Sequence, residues 1–405
     1  MVRTLPLGLE QALKMTLERI GPLASENVGL LDSLNRPLAE DIFSKVDSPS
    51  IDASLKDGYA VLSYQVESAA KDRPVRLKLS GAMAAGGRND LRVLPDTTVR
   101  VLTGAKIPAG ADAVVAEEYV SVDNDVVIFY KNADPGRNIL PKSSDVAKDQ
   151  IVARKGDVVT PGLVGLLAAA GHHRLPSVRP PRVAIIATGD EVVAPGQPLP
   201  DGKLYASNIT TLGGWCQRYG MRSRLEVVKD SADEISAALL RYGDETDAIV
   251  TSGGAWTGDR DLVAKILEQL GWQQVFHRIR IGPGKAVGFG ILKGKPVFIL
   301  PGGPPSNLMG FLQIALPGLL KLGGHRHIGL PTVSVRLAEE LNGRYADWTQ
   351  FVYGILEKKA ELPVFHALKS KSRLRSMAES QAVVAIPEGE TILTAGSTVA
   401  AQLLE

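Results

Sequence analysis

The feature that most constrains the fold is a regular alternation of strand-like and helix-like segments between residues 183 and 322. Short apolar runs predict strands at 183–187, 223–228, 248–251, 275–281, 286–291 and 296–300. Amphipathic segments predict helices at 209–219, 232–242, 262–270 and 306–322. Strands that alternate with helices form a mostly parallel sheet covered by helices. We therefore predict a doubly wound α/β domain over residues 180–326.

Three of the predicted strands end in loops whose composition suits an anionic ligand. The loops contain Thr188-Gly189-Asp190-Glu191, Ser252-Gly253-Gly254 and Pro301-Gly302-Gly303-Pro304-Pro305-Ser306. Ligands of open parallel sheets bind beyond the carboxyl ends of the strands, where glycines let backbone N–H groups approach an anion. Such a loop alone is often only a turn, and Asp259 or Ser306 could be a helix N-cap. Three of them in one α/β unit favour a phosphate-binding site.

Charged residues near these loops extend the prediction. Asp190, Glu191 and Asp261 are suited to hold Mg²⁺ together with substrate phosphates, directly or through water. Lys285, in Gly282-Pro283-Gly284-Lys285, could contact a phosphate as a point charge. The alternative for Lys285 is a solvated side chain on a β-turn.

The segments on either side of the α/β unit have a different sequence pattern. Leu9, Leu13, Leu17 and Ile20 predict a helix, whereas residues 26–178 contain short apolar runs separated by turn residues. Residues 161–171 predict a short helix with proline at its start, and 327–405 return to short strands. The predicted division is 1–25 (a helix on the α/β domain), 26–44 with 147–179 (a linker domain), 45–146 (a β-rich second domain), 180–326 (the α/β domain) and 327–405 (a small C-terminal β-barrel).

Composition excludes several classes of protein. The net charge of +2 offers no electrostatic basis for binding nucleic acid or an anionic membrane. No apolar run approaches the roughly 18 residues of a membrane helix, and the start of the chain lacks the apolar region of a secretory signal. The single cysteine, Cys216, excludes an internal disulfide and favours a buried apolar role. We expect a cytoplasmic protein.

Motifs along nearly the whole chain resemble those of one known family. They are Asp57-Gly58-Tyr59-Ala60, Val101-Leu102-Thr103-Gly104-Ala105, Gly136-Arg137-Asn138-Ile139 with Asp145, Thr188-Gly189-Asp190-Glu191, Ser207-Asn208, Asp230, Ser252-Gly253-Gly254, Gly258 with Asp261, Pro283-Gly284-Lys285 and Leu300-Pro301-Gly302 with Pro304. In this order and spacing they resemble the MoeA family, the molybdopterin molybdenumtransferases that include the E domain of gephyrin.

The resemblance implies an elongated, four-domain homodimer that inserts molybdate into adenylylated molybdopterin and releases AMP in a Mg²⁺-dependent reaction. It implies that one subunit's second domain supplies Asp57, Thr103 and Asp145, and that the other's α/β domain supplies Glu191, Asp230 and Asp261. The substrate-binding residues would be Ser252, Gly253, Gly254, Arg278, Lys285, Pro301, Gly302, Pro304, Ser306 and Ser372. Molybdopterin is then a substrate, Mg²⁺ the cofactor, and the molybdopterin adenylyltransferase a further partner.

Several basic positions depart from the family pattern. The family's usual Lys-Pro-Gly-Lys has glycine, Gly282, in place of its first lysine here, and an upstream lysine is replaced by Arg278. Two arginines of the C-terminal region are replaced by Trp348 and Tyr353. Each charge-assisted contact to an oxyanion contributes about 1.5–3 kcal/mol, so such losses weaken dianion binding. Two hypotheses follow: a transferase with substituted oxyanion contacts, or a divergent paralogue that binds a pterin or nucleotide without inserting metal. A scaffolding role is a third, less favoured reading.

Overall fold

The computed structural model describes residues 7–87, 91–254, 262–369 and 372–404. Most of its helices lie where amphipathic periodicity predicts them, since buried apolar side chains recur every three or four residues. They are α1 (Leu9–Glu18), α2 (Ser63–Val66), α3 (Pro161–Ala169), α4 (Ser207–Arg218), α5 (Ala232–Glu245), α6 (Leu262–Gln269), α7 (Pro304–Gly310), α8 (Leu316–Leu322) and α9 (Arg373–Glu379). A π-helical segment, Phe311–Ala315, joins α7 to α8, and short 3₁₀ turns lie at Leu31–Ser33 and Glu117–Tyr119.

The chain up to residue 178 is β-rich, as its turn-separated apolar runs predict. The strands are β1 (Ser25–Gly29), β2 (Ile42–Phe43), β3 (Ala53–Ser54), β4 (Gly58–Val61), β5 (Val75–Met83), β6 (Thr97–Val101), β7 (Ala113–Ala116), β8 (Val120–Asp123), β9 (Val126–Phe129), β10 (Ile139–Leu140), β11 (Ile151–Ala153) and β12 (Arg174–Val178). Strands β4–β9 form a six-stranded sheet in the order β7-β4-β6-β5-β9-β8. Strand β1 pairs with β12 and β2 with β11 in two separate two-stranded sheets, so segments far apart in the sequence come together.

The central unit is the predicted α/β domain. Its strands are β13 (Arg182–Thr188), β14 (Val192–Val193), β15 (Leu204–Tyr205), β16 (Arg222–Val228), β17 (Ala248–Ser252), β18 (Gln273–His277), β19 (Ile281–Gly282), β20 (Gly288–Leu292) and β21 (Lys295–Leu300). Six of them form one sheet in the order β16-β13-β17-β21-β20-β18. The first four run parallel, whereas β20 and β18 are antiparallel to their neighbours, which confirms a mostly parallel sheet.

Helices cover both faces of this sheet because strand residues alternate between two apolar layers. Along β13, Val183 and Ile185 pack into a cluster with α1, α4, α7 and α8, while Ala184 and Ile186 pack into one with α5 and α6. The domain is therefore doubly wound, and α1 contributes to its core although it lies far away in the sequence. Cys216 of α4 is fully buried in the first layer, and this burial raises its pKa to about 12.

The C-terminal region closes into a five-stranded barrel, as predicted. Its strands are β22 (Thr332–Leu337), β23 (Leu341–Asn342), β24 (Thr349–Glu357), β25 (Val364–Ala367), β26 (Ala382–Ile386), β27 (Ile392–Leu393) and β28 (Thr398–Leu403). The order β24-β25-β22-β28-β26 closes because β26 also pairs with β24. Strand β19 adds to the barrel by pairing in parallel with β24, which ties the barrel to the α/β unit.

Three predicted elements are wrong in extent. The predicted strand 275–281 is split into β18 and β19, because Arg278 adopts a left-handed φ of 71° and redirects the chain into the barrel. The predicted helix 306–322 begins at Pro304, where proline's fixed φ suits the first helical turn. Among the apolar runs between residues 26 and 178, the one at 152–159 contributes only Val152 and Ala153 to a strand, β11.

Candidate functional site

The three glycine-rich loops lie side by side at one edge of the sheet. Ala187 near the end of β13 pairs with Ser252 at the end of β17, and Ser252 pairs with Leu300 at the end of β21. The loops that follow must therefore emerge from neighbouring strands at the same height. This is the carboxyl edge at which open α/β sheets bind their ligands.

The backbone of the second loop requires glycine. Gly253 has φ of +102° and Gly254 of +68°, values that L side chains rarely adopt. A Cβ at Gly253 would also lie 2.5 Å from the carbonyl oxygen of Thr188. By contrast, a Cβ at Gly302 would meet only the Cα of Gly253, at 3.7 Å. Gly302 is thus not imposed by crowding within the fold, and its exposed backbone leaves room for close approach of a ligand.

A network of amide and hydroxyl groups fastens the loops together. Asn307, 1% exposed, donates from Nδ2 to Ser252 Oγ at 3.0 Å and to the carbonyl of Pro301 at 2.9 Å. Asn208, in the first turn of α4, donates to the carbonyl of Gly302 at 2.7 Å and to Ser252 Oγ at 3.3 Å. Both asparagines therefore converge on Ser252, which is 4% exposed. The arrangement preorganises the edge, and it uses the carbonyl of Gly302 rather than its N–H.

A cavity of about 130 Å³ opens at this edge. Five predicted site residues line it: Glu191, Ser252, Gly253, Gly302 and Pro304. Its other walls include Thr188, Leu204, Tyr205 and Asn208. Thr188 is 4% exposed, and within the described part of the chain its hydroxyl has no hydrogen-bond partner. Larger cavities lie elsewhere in the chain, but this one collects the predicted residues.

Glu191 in the cavity wall forms an acidic cluster with Asp190 and Asp230. Partial burial, followed by the nearby charges of Asp190 and Glu191, raises the pKa of Asp230 above its usual value. The backbone N–H of Asp230 donates to Asp190 Oδ1 at 3.3 Å, and Lys203 donates to the carbonyl of Asp190. Mutual repulsion of this kind favours a bound cation. Within the described residues, however, no three acidic, histidine or cysteine side chains are arranged to ligate a metal directly. Asp261, the third predicted metal ligand, lies outside the described residues.

The predicted basic residues lie on either side of β19: Arg278 precedes it, and Lys285 lies on the loop between β19 and β20. Gly284 has φ of +122°, and a Cβ there would lie 3.3 Å from the carbonyl oxygen of Ser306, so this loop packs on α7. Lys285 is exposed beside it, while Arg278 N–H donates to the carbonyl of Val287 at 2.9 Å. The loop thus brings Lys285 towards the helix that follows Pro301–Gly303.

Two predicted serines have local structural roles. Ser306 is not an N-cap, because Gly303 caps α7 and Ser306 lies within its first turn. Ser372 caps α9 by accepting from the N–H of Arg375 at 3.3 Å, and α9 packs against α7. Tyr353, at a position where the family pattern has arginine, approaches the same helix: its hydroxyl donates to the carbonyl of Pro305 at 3.4 Å.

The residues of the N-terminal half form a separate group. The N–H and the hydroxyl of Thr103 donate to Asp57 Oδ1 at 2.6 and 2.8 Å, and these bonds hold the pKa of Asp57 below its usual value. Asp145 is exposed, and its N–H donates to the carbonyl of Ser48 at 3.0 Å. None of the three lines the 130 Å³ cavity. Their supply by a partner subunit stays a prediction.

Sequence reasoning missed four residues that shape this edge. Asn307 directly follows the predicted Ser306, and polar residues in the first turn after a glycine-rich loop are a usable signal. Thr188 closes β13 within a motif already singled out. Leu204 and Tyr205 carried no signal, because only the pairing of β14 with β15 folds them back over the cavity.

Comparisons with known proteins agree with this architecture. Residues 184–321 match a family described as a probable molybdopterin binding domain, and residues 7–171 match the MoeA N-terminal region, domains I and II. Fold and site therefore define a multidomain protein built around a molybdopterin-binding type of α/β domain.

Individual relatives narrow this class. The chain is 33% identical to the molybdopterin molybdenumtransferase of Haemophilus influenzae over 79% of this chain and 78% of that protein. It is 31% identical to molybdopterin molybdenumtransferase 2 of Mycobacterium tuberculosis, over 89% and 90%. A crystal structure of a molybdopterin biosynthesis MoeA protein from Pyrococcus horikoshii OT3 superposes with a TM-score of 0.82 at 27% identity, covering 98% and 99%. The chain belongs to the MoeA family.

Membrane insertion through helices finds no support in the fold. None of the helices in the described part of the chain combines the length and the apolar character that a bilayer crossing requires.

Proposed function

We propose that this protein is a molybdopterin molybdenumtransferase, which inserts molybdate into adenylylated molybdopterin and releases AMP during molybdenum cofactor biosynthesis. The observation that carries the proposal is the edge where three loops are fastened through Ser252 by Asn307 and Asn208. Relatives that carry the name of this activity align over most of the chain. The alternative, a paralogue that binds without inserting metal, is not favoured by these relatives.

The geometry supports binding of the diphosphate linkage at the loops. Gly254 and Gly302 present backbone rather than side chains, and backbone N–H groups in such turns bind phosphate oxygens. Gly253 shapes the turn instead, because its own N–H donates to the carbonyl of Leu300. Ser252 Oγ can add a further contact. Water then breaks the anhydride bond, giving AMP and the phosphate end of molybdopterin. Fixed donors favour this step because they hold the charge that develops on the leaving phosphate.

Molybdate requires cationic and hydroxyl donors, because it is a phosphate-sized dianion. Lys285, Arg278 and Ser372 are the proposed donors. Lys285 lies on the loop that packs against α7, and Ser372 begins the helix that packs against α7 from the barrel side. The barrel and the α/β unit would thus each supply part of the oxyanion site.

The acidic cluster fits a hard divalent cation in its chemistry. Mg²⁺ prefers carboxylate oxygens and keeps several of its own waters, so an incomplete set of direct protein ligands is compatible with it. Asp190 and Glu191, with Asp261, would hold Mg²⁺, which would offset the charge on the substrate phosphates. Asp230 lies close enough to Asp190 and Glu191 for their charges to raise its pKa. It would contact the cation through an intervening water.

A homodimer completes the proposed site. Asp57, Thr103 and Asp145 would act from the second domain of a partner subunit on the ligand held by this subunit's loops. The hydrogen bonds from Thr103 keep the Asp57 carboxylate ionised and fix its orientation. In this state it would bind a cation or accept a hydrogen bond from a water. We further propose a cytoplasmic location and contact with the molybdopterin adenylyltransferase, which makes the substrate.

The test is release of AMP from adenylylated molybdopterin by the purified full chain, with molybdate and Mg²⁺ added separately and together. We expect release that depends on both. Asp57→Asn should reduce it strongly, whereas Asp123→Asn, an exposed carboxylate at the end of β8, should leave it unchanged. Tight binding of the substrate with no AMP release under any condition would refute the transferase and support the non-inserting paralogue.

A further inference from the structure

A second, larger cavity lies between the α/β domain and the C-terminal region. It has a volume of about 410 Å³ and is bounded by one face of α4, by α7, by α9 and by Leu404. It shares no lining residue with the 130 Å³ cavity at the loops. Cavities of about 300–1,000 Å³ at the junction of two folding units are typical small-molecule sites.

The walls of this interdomain cavity are mostly apolar. Its apolar lining side chains are Trp215 of α4, Leu308 of α7, Leu374, Met377 and Ala378 of α9, and Leu404. Indole and thioether groups make favourable contacts with flat aromatic ligands. The composition therefore favours a planar, largely apolar body as the occupant.

The space of the cavity exists partly because α4 carries a glycine there. Gly214 lies between Thr211 and Trp215 on the lining face, and a Cβ at this position would meet nothing within 4 Å. Its φ lies outside the left-handed region, so no backbone constraint demands glycine. Glycine inside a helix costs about 1 kcal/mol relative to alanine. Glycine at this position therefore leaves the volume open at a cost to the local stability of the helix.

One cation gives the cavity its polarity. Arg218 lies one turn beyond Gly214, with its guanidinium 5.3 Å from the centre of the Trp215 ring and one N–H donated to the carbonyl of Leu404 at 3.1 Å. No carboxylate of the described residues pairs with it, and it is the sole ionisable side chain among the described residues that line the cavity. Among the described residues, its other four N–H groups have no hydrogen-bond partner, so they can serve a ligand.

We propose that this cavity is a binding site for a small aromatic carboxylate. The flat ring would lie against Trp215 and Met377 in the space that Gly214 leaves open, and the carboxylate would pair with Arg218. A single guanidinium suits one negative charge rather than a dianion such as phosphate, which generally recruits several cationic or backbone donors. The site is separate from the proposed molybdopterin site, so its test needs no molybdenum chemistry.

The experiment is calorimetric titration of the full-length protein with 2-naphthoate and with its neutral analogue, 2-naphthamide. We expect one naphthoate per chain. A charge-assisted hydrogen bond at a partly exposed arginine should make naphthoate bind about fivefold or more tighter than naphthamide. Arg218→Met should remove this preference and bring the two affinities within about twofold of each other.

A volume test accompanies the charge test. Gly214→Leu should abolish binding of both compounds because the side chain fills the cavity, while thermal stability is kept or raised. Gly165→Leu is the matched control: Gly165 lies in α3, where a Cβ also meets nothing within 4 Å, and binding should be unchanged. The proposal is overturned if wild type binds no naphthoate at millimolar concentration, if both compounds bind it equally, or if Gly214→Leu binds like wild type.

Discussion

Asn307→Leu is the sharpest test of how the candidate site is held together. Asn307 is buried, and its Nδ2 is the common donor to Ser252 at the end of β17 and to Pro301 at the end of β21. Leucine has nearly the same shape and size, so the substitution removes both hydrogen bonds with little cavity formation. We therefore expect the two loops to loosen while the fold persists.

The magnitude follows from the two lost bonds. Each hydrogen bond contributes about 0.5–1.5 kcal/mol net, so the loss of two lowers the local opening free energy by about 1–3 kcal/mol. Ser252 keeps its longer contact with Asn208, which places the effect below the upper bound. An opening free energy lowered by this amount speeds amide exchange by about five- to 150-fold.

Hydrogen–deuterium exchange of peptides covering 252–254 and 302–308 measures this effect. The amides of Gly253 and Asn307 are useful reporters, since they donate to the carbonyls of Leu300 and Gly303. Asn342→Leu is the matched control, because the exposed side chain of this β23 residue donates to Glu340, far from the loops; it should change nothing in these peptides. Exchange within twofold of wild type in Asn307→Leu would refute the role assigned to this network.

Three further predictions concern stability and reactivity. Burial alone would raise the pKa of Asp247, but hydrogen bonds from Arg179 and Arg182 together outweigh it and hold this pKa far below its usual value. Asp247→Asn should therefore cost about 2 kcal/mol at neutral pH, and calorimetry should show the difference persisting down to pH 5 and shrinking below about pH 4, as the carboxylate becomes protonated. Gly253→Ala should destabilise the loop by about 2 kcal/mol or more, because its Cβ meets the Thr188 carbonyl, whereas Gly302→Ala should leave exchange unchanged and weaken only ligand binding. Cys216 should resist iodoacetamide at pH 8 in the native protein and react once it is unfolded, because burial raises its pKa to about 12.

Local chemistry made several elements predictable to within a residue or two. Helix α3 begins at Pro161 after the N-cap Thr160, which accepts from Leu163 N–H, and proline at the first helical position is a local signal. Strands Ala113–Ala116, Thr332–Leu337 and Ala382–Ile386 coincide with their apolar runs. These elements depend on residues that are adjacent in the chain, so the sequence pattern carries them.

Other features depended on packing and were not predictable. The split between β18 and β19 arises because β19 finds its partner in β24, more than sixty residues further along the chain. Likewise, nothing local to Tyr353 indicates that it reaches the carbonyl of Pro305 across the boundary with the barrel. A pattern along one segment contains no information about which distant segment will compete for its backbone.

The alternation of strands and helices in the sequence determined the doubly wound α/β domain and placed three glycine-rich loops after its strands. A parallel sheet that is buried on both faces requires apolar strands that alternate with amphipathic helices, and this alternation is visible in the sequence. Only the tertiary structure decided that Asn307 and Asn208 both close on Ser252, and that Arg218 faces a cavity bounded by α9. Such contacts follow from strand order, register and helix packing, which arise from the whole core at once.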